Sequence, residues 1–299
     1  MTRSLTIPRL AVFAAALAAL AACDPAPSGQ GAGGKPMAKA ELSPNAPTAP
    51  SAPPLIIPPA SQAAAEPPPP ASTAPEAQAI EAAGLDPAAT AAADKKRLLI
   101  RAQVLLDRAH FSPGVIDGRE GSNMKNAVMA FEAARGLPVD GLLDPAVWEA
   151  LVTADTGPVT QDYVITEDDV KGPFTPIPTG FTAQARLERL GYATPLEGLA
   201  ERFHMDEALL TALNPGIDFA VAGARIVVTR PAAGDLPAGI ARIEVDKSRE
   251  QVRALDAAGK VLAAFPATVG SSDRPAPTGE WAVNSVSPTS FHIQARACS

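Results

Sequence analysis

From Lys95 onward the apolar residues of "KKRLLIRAQVLLDRAHF" fall at Leu98, Ala102, Leu105 and Ala109, a spacing that puts one buried stripe on a helix. The turn signals Pro113-Gly114 and Asp117-Gly118 follow. A second helix is predicted in "SNMKNAVMAFEAARG", with Ser122 or Asn123 as N-cap, Ala127, Phe131 and Ala134 facing inward, and Gly136 as the stop. Another Asp-Gly turn, at Asp140-Gly141, leads to an Asp144 cap, Pro145 at the first helical position, and a third helix carrying Val147, Trp148 and Leu151. The expectation for residues 91–155 is a three-helix bundle.

Over residues 160–231 the pattern changes. A strand-like "DYVITEDDV" precedes a Pro- and Gly-interrupted stretch, then two helices in "TPLEGLAERFHMDEALLTALNPG". Thr194 caps and Pro195 starts the first, whose face is Leu196, Leu199, Ala200 and Phe203. Leu209, Leu210 and Leu213 line the second, Asn214-Pro215-Gly216 ends it, and "VAGARIVVTRP" supplies a closing strand. From residue 238 the period becomes two: Ile243 and Val245 are expected inward, Arg242, Glu244 and Asp246 outward. With turns at Lys247-Ser248 and Ala258-Gly259, residues 238–299 read as an all-β meander. The fold class is therefore α+β, multidomain.

Composition changes the picture upstream of these segments. Residues 24–90 hold 16 of the 32 prolines. Such a tract has too little apolar surface to offset its conformational entropy, so residues 23–90 are expected to be a disordered, partly polyproline-II tether. At about 3.1 Å per extended residue its reach is on the order of 100–200 Å. Before it, Arg3 and Arg9 are followed by a short apolar run, Leu10 to Ala22, that fits an export signal over residues 1–22. Leu20-Ala21-Ala22-Cys23 resembles a bacterial lipobox. That resemblance implies cleavage before Cys23, its acylation, and a periplasmic-side protein held to a membrane by its lipid. An ordinary small-residue cleavage site beside an incidental Cys is the alternative.

The formal charge is −7, or −9 without Arg3 and Arg9. No basic patch is available to neutralise phosphates, so nucleic acid is excluded as a partner.

The string "VIDGREGSNMKNAVMAFEAARGLPVDGLLDPAVWEAL" resembles the peptidoglycan-binding domain of wall hydrolases and transpeptidases, in which two V-x-D-G-like turns each lead into a helix. The resemblance implies peptidoglycan as partner and makes Asp117, Gly118, Asp140, Gly141 and Trp148 the candidate contacts. The plainer reading is that the Asp-Gly pairs only make turns and Trp148 belongs to the core. Glu132 departs from that family, which usually has Gln there. "LAERFHMDEALLTALNPG" with "AGARIVV" looks like a LysM-type module carrying an insertion over residues 171–193. The sequence "GKVLAAFPATVG" followed by "PAPTGEW" looks like the opening half of an L,D-transpeptidase catalytic domain.

That family acts through a Cys thiolate set in S-H-G-C-x-R, downstream of an H-G strand. Here Cys298 follows Arg296-Ala297 and precedes Ser299, and His292 stands where that family has no catalytic His. No residue is therefore assigned a catalytic role, and the domain is expected to be truncated; an incomplete copy of an active enzyme and a purely structural membrane-to-wall tether stay open. His204 lacks a second His, Cys or carboxylate cluster at ligand spacing and reads as a junction residue, so neither metal nor cofactor is expected. Asp168-Asp169 reads as a solvated turn.

Overall fold

The computed structural model describes residues 71–86, 91–178, 180–184, 186, 191–232, 239–271 and 275–280. Cys23, Cys298, His292, the leading signal and most of the tether lie outside these residues.

Eight helices and two small antiparallel sheets make up the described part, a mixed architecture consistent with α+β. The helices are α1 (Pro75–Ala82), α2 (Ala92–Arg108), α3 (Ser122–Arg135), α4 (Pro145–Ala154), α5 (Glu167–Lys171), α6 (Phe181–Gln184), α7 (Pro195–Arg202) and α8 (Glu207–Leu213). The strands are β1 (Thr160–Val164), β2 (Arg225–Thr229), β3 (Arg242–Asp246), β4 (Gln251–Leu255) and β5 (Val261–Pro266).

The disorder expected over residues 23–90 does not hold for residues 75–82. Helix α1 falls inside the stretch expected to be disordered, and its Ala77 and Ile80 are fully buried. Between the prolines, "EAQAIEA" is made of good helix formers, and Glu81 just inside its end takes hydrogen bonds from the backbone N–H of Val159 and Thr160 (3.1 and 2.7 Å) and from the Thr160 hydroxyl (2.6 Å). Averaged composition hid a short segment with one apolar face and one strong anchor.

Helices α2 to α4 form the expected bundle, and Asp144 caps α4 by accepting the Val147 N–H at 2.8 Å. Two details differ. The N-cap of α3 is Gly121, with Ser122 already helical and no side chain capping. Helix α2 is buried well beyond one stripe, because Leu99, Ile100, Val104 and Leu106 are buried along with Ala102 and Leu105.

Strands β1 and β2 pair antiparallel around α7 and α8, with Tyr163 opposite Ile226. Asn214 pins this unit from within: its amide nitrogen donates to the carbonyls of Leu210 and Val227 (2.9 and 2.8 Å), and its oxygen accepts the Val227 N–H at 2.6 Å. The strand expected over "DYVITEDDV" stops at Val164, since Thr166 opens α5 with a reciprocal cap to Asp169. Asp169 is consequently no solvated turn. Its side chain is 2% exposed, accepts the Tyr163 hydroxyl at 2.6 Å, and pairs with Arg202. Burial alone would raise its pKa, but the donors from Tyr163 and Thr166 and the Arg202 charge hold the carboxyl below the usual range.

The meander β3-β4-β5 has the predicted order and turns, but its faces are exchanged. Ile243 and Val245 are 61% and 51% exposed. The face that meets α3 carries Gln251 and Arg253, with Gln251 buried against Asn126. Arg253 satisfies its charge on Glu244 (2.6 Å) and Asp246 (3.4 Å), which lets a polar face pack inward. Alternation separates the two faces of a strand; it does not say which of them has a partner.

Candidate functional site

The bundle's two Asp-Gly turns are built twice over to one plan. Each needs a left-handed glycine, with φ of 70° at Gly118 and 75° at Gly141. Each glycine lies flat against a helix. A Cβ on Gly118 would sit 2.7 Å from Lys96 Cγ and 2.9 Å from Ile100 Cγ1, and one on Gly141 would sit 2.7 Å from Lys125 Cγ and 2.8 Å from Met129 Cγ.

Each turn is also held by a buried side chain one helical turn further along. Gln103 Oε1 accepts the N–H groups of Asp117 (3.1 Å) and Gly118 (2.8 Å). Glu132 Oε2 accepts those of Asp140 (3.1 Å) and Gly141 (2.9 Å). Both aspartates then turn back on their own backbone, Asp117 accepting the N–H of Arg119 and Asp140 that of Leu142, each at 2.9 Å. Lys96, Ile100 and Gln103 on α2 thus correspond to Lys125, Met129 and Glu132 on α3, an offset of 29 residues at all three positions. That offset could have been read from the sequence; it went unseen because Gln and Glu in a helix carry no signal until their burial is known.

The clasps differ in one atom. Gln103 Nε2 donates to Asp117 Oδ1 at 2.9 Å and to the Arg119 carbonyl at 3.2 Å. Glu132 has an oxygen in place of that nitrogen and faces the Asp140 carboxylate. Burial, with the Asp140 charge adding to it, pushes the Glu132 carboxyl above the usual range against the two N–H donors.

These contacts place the candidates. Asp117, Gly118, Asp140 and Gly141 spend their backbone and carboxylates on the turns themselves. Trp148 is half-buried, with the Arg101 guanidinium 5.4 Å from its ring centre and Gly84 against its edge, so part of its ring is taken up by the protein itself. What the turns offer outward is their flanks: Val115, Val139 and Leu142 are 56%, 51% and 60% exposed. Beside the first turn lies an open cleft of about 240 Å³ bordered by Val115, Asp117, Arg119, Glu120 and Asn123. Beside the second lies one of about 180 Å³ between Met129, Val139, Arg249 and Arg253.

Residues 98–151 match the family of the peptidoglycan binding domain. This segment is a peptidoglycan-binding domain. No curated protein matches the chain. The match begins inside α2 and ends inside α4, so both clasped turns of the peptidoglycan-binding domain fall within it.

Among the described residues no group of three or more His, Cys, Asp or Glu is placed to hold a metal ion. No described helix is long and apolar enough to cross a membrane. His204 closes the junction between α7 and α8 and donates through Nδ1 to the Asp107 carboxylate of α2 at 3.1 Å. Sequence reasoning placed His204 at a junction but missed its partner, 97 residues away.

Proposed function

We propose that this chain is a cell-envelope protein that attaches to peptidoglycan through residues 98–151, using the clefts flanking its two clasped turns. The family match over those residues carries the reading. The exposed Val115, Val139 and Leu142 support the location, since the turn residues themselves are occupied internally.

The β1-α7-α8-β2 unit is in this reading a LysM-like module with an insertion. The meander is the opening part of an L,D-transpeptidase-type domain, supported by "FPATVG" and "PAPTGEW". Cys23 is the lipid attachment point, which gives the chain a membrane anchor on the periplasmic side. The proposed role is adhesion between membrane and wall, with no residue assigned to peptide cross-linking.

The test is co-sedimentation of the full chain with purified sacculi, beside variants Val115→Asp and Val139→Asp. Binding of the parent chain with loss in either variant is expected; a parent chain that stays in the supernatant overturns the reading. Mass spectrometry of the mature N-terminus tests the anchor separately: a diacylglyceryl group on Cys23 is expected, and a free thiol there removes the anchor from the proposal.

A further inference from the structure

The peptidoglycan-binding domain, the β1-α7-α8-β2 unit and the meander all join at residues 107–116. On one side β5 docks by two hydrogen bonds, from Ser112 N–H to the Ala264 carbonyl and from Ala264 N–H to the His110 carbonyl, both 2.8 Å. On the other side Ile116 bridges to Met205: Ile116 N–H donates to the His204 carbonyl at 2.8 Å, and Asp206 N–H to the Ile116 carbonyl at 3.0 Å. The two histidines at these contacts both hold left-handed backbone, with φ of 68° at His110 and 53° at His204. Non-glycine residues keep that conformation where surrounding contacts over-determine it.

Asp107 stands behind the second contact. Its side chain is 4% exposed, and it takes hydrogen bonds from His204 Nδ1 at 3.1 Å and Ala232 N–H at 2.9 Å, with the Ser112 hydroxyl as a third donor. One carboxylate of the peptidoglycan-binding domain thereby holds the following unit at two points, before α8 and after β2. A buried carboxylate needs a compensating charge, and the neighbouring Arg108 is engaged with Asp155 at 2.6 Å. His204, with nearly half its side chain in solvent, is the group that can supply or withdraw that charge.

We propose that Asp107 and His204 form a proton-operated latch between the peptidoglycan-binding domain and the β1-α7-α8-β2 unit, clamped when His204 is protonated and loosened when it is neutral. The groups facing the His204 ring are Asp107 from α2 and Glu201 from α7, with Ser112 and the Ala232 N–H completing the Asp107 side. The hydrogen bond to Asp107 raises the His204 pKa, burial works against it, and the charges of Asp107 and Glu201 add to the rise. Burial would raise Asp107, but His204, the Ala232 N–H and Ser112 together hold it below its usual range. A raised histidine binds its proton more tightly in the docked state. The clamp is thus fully present below the usual histidine value and is lost as pH rises through the higher, docked value. Neutral His204 still donates through Nδ1, so the unit loosens without leaving.

The latch is independent of what the domain binds, and the whole chain tests it. His204 ring resonances and the exchange of the Ile116, Asp206 and Ala232 amide protons are followed by NMR from about pH 5 to 9. Corrected for intrinsic rates, protection at the three amides should fall about threefold to tenfold as His204 loses its proton. In His204→Gln, which keeps a donor without a proton switch, the same amides should show no step. A flat profile in the unaltered chain overturns the latch, as does an unchanged step in His204→Gln. If the variant fails to fold, the profile of the unaltered chain alone decides.

Discussion

The two Asp-Gly turns of the peptidoglycan-binding domain share glycine geometry, helix contacts and aspartate caps, yet an amide clasps one and a carboxylate the other. Gln103 accepts two N–H groups with its oxygen and donates with its nitrogen, so both ends of its amide have complementary partners. Glu132 serves the same two N–H positions but has no donor to turn toward Asp140 while both are ionised. Identical backbone geometry therefore conceals different electrostatics. The side chain that clasps the first turn cannot titrate, and the one that clasps the second can.

The largest effect should come from removing the clasps. Gln103→Leu strands two buried N–H donors and the contacts of Nε2, and is expected to cost about 3 kcal/mol or more. Glu132→Leu strands two N–H donors but relieves the repulsion with Asp140, and should cost less, about 2 kcal/mol. Urea unfolding of both variants measures the gap, and equal losses would show that the Nε2 contacts add nothing.

Next in size are the glycines. Gly118→Ala and Gly141→Ala force a Cβ onto left-handed backbone and against a packed helix, each for about 1–2 kcal/mol. Because the approach distances match within 0.1 Å, the two losses should agree closely. A large difference in thermal midpoints would mean that Lys96 and Lys125 do not yield alike, and would break the correspondence between the turns.

The smallest change is Glu132→Gln, which makes the second clasp like the first. It should stabilise the domain at neutral pH by about 1 kcal/mol. Glu132 has a raised pKa when folded, so its proton favours the folded state. Its contribution is full below the usual Glu value and declines as pH rises through the raised one. Stability measured across that window should slope downward in the parent chain, and the Glu132 part of the slope should vanish in the variant. A variant with an unchanged slope would assign the dependence to another group.

The sequence announced what is local. Turn residues, the Asp144 and Thr194 caps, the Gly136 stop and the apolar faces of α3, α4, α7 and α8 follow from neighbours within one or two helical turns, and they stand where the periodicity puts them. What it concealed is set by distant partners. Helix α1 depends on Glu81 reaching Thr160, 79 residues on, and Asp169 is buried because Arg202 covers it. The inverted faces of β3 follow from Arg253 neutralising Glu244 and Asp246. The Asp-Gly pairs were visible as turns, but the candidate site they frame depends on Gln103 and Glu132, whose role appears only once burial is known.

The bond from Glu81 to Thr160 also bears on what counts as a unit here. The segment matched by the family is 98–151, whereas the segment closed by its own contacts begins in α1 and returns at β1. A fragment cut at the borders of the match would divide α2 after Arg97, discard Lys96 from beneath Gly118, and leave Leu151 at a frayed end. The family match therefore marks a shorter stretch than the contacts do: the packed unit extends beyond it at both ends, into α1 and β1.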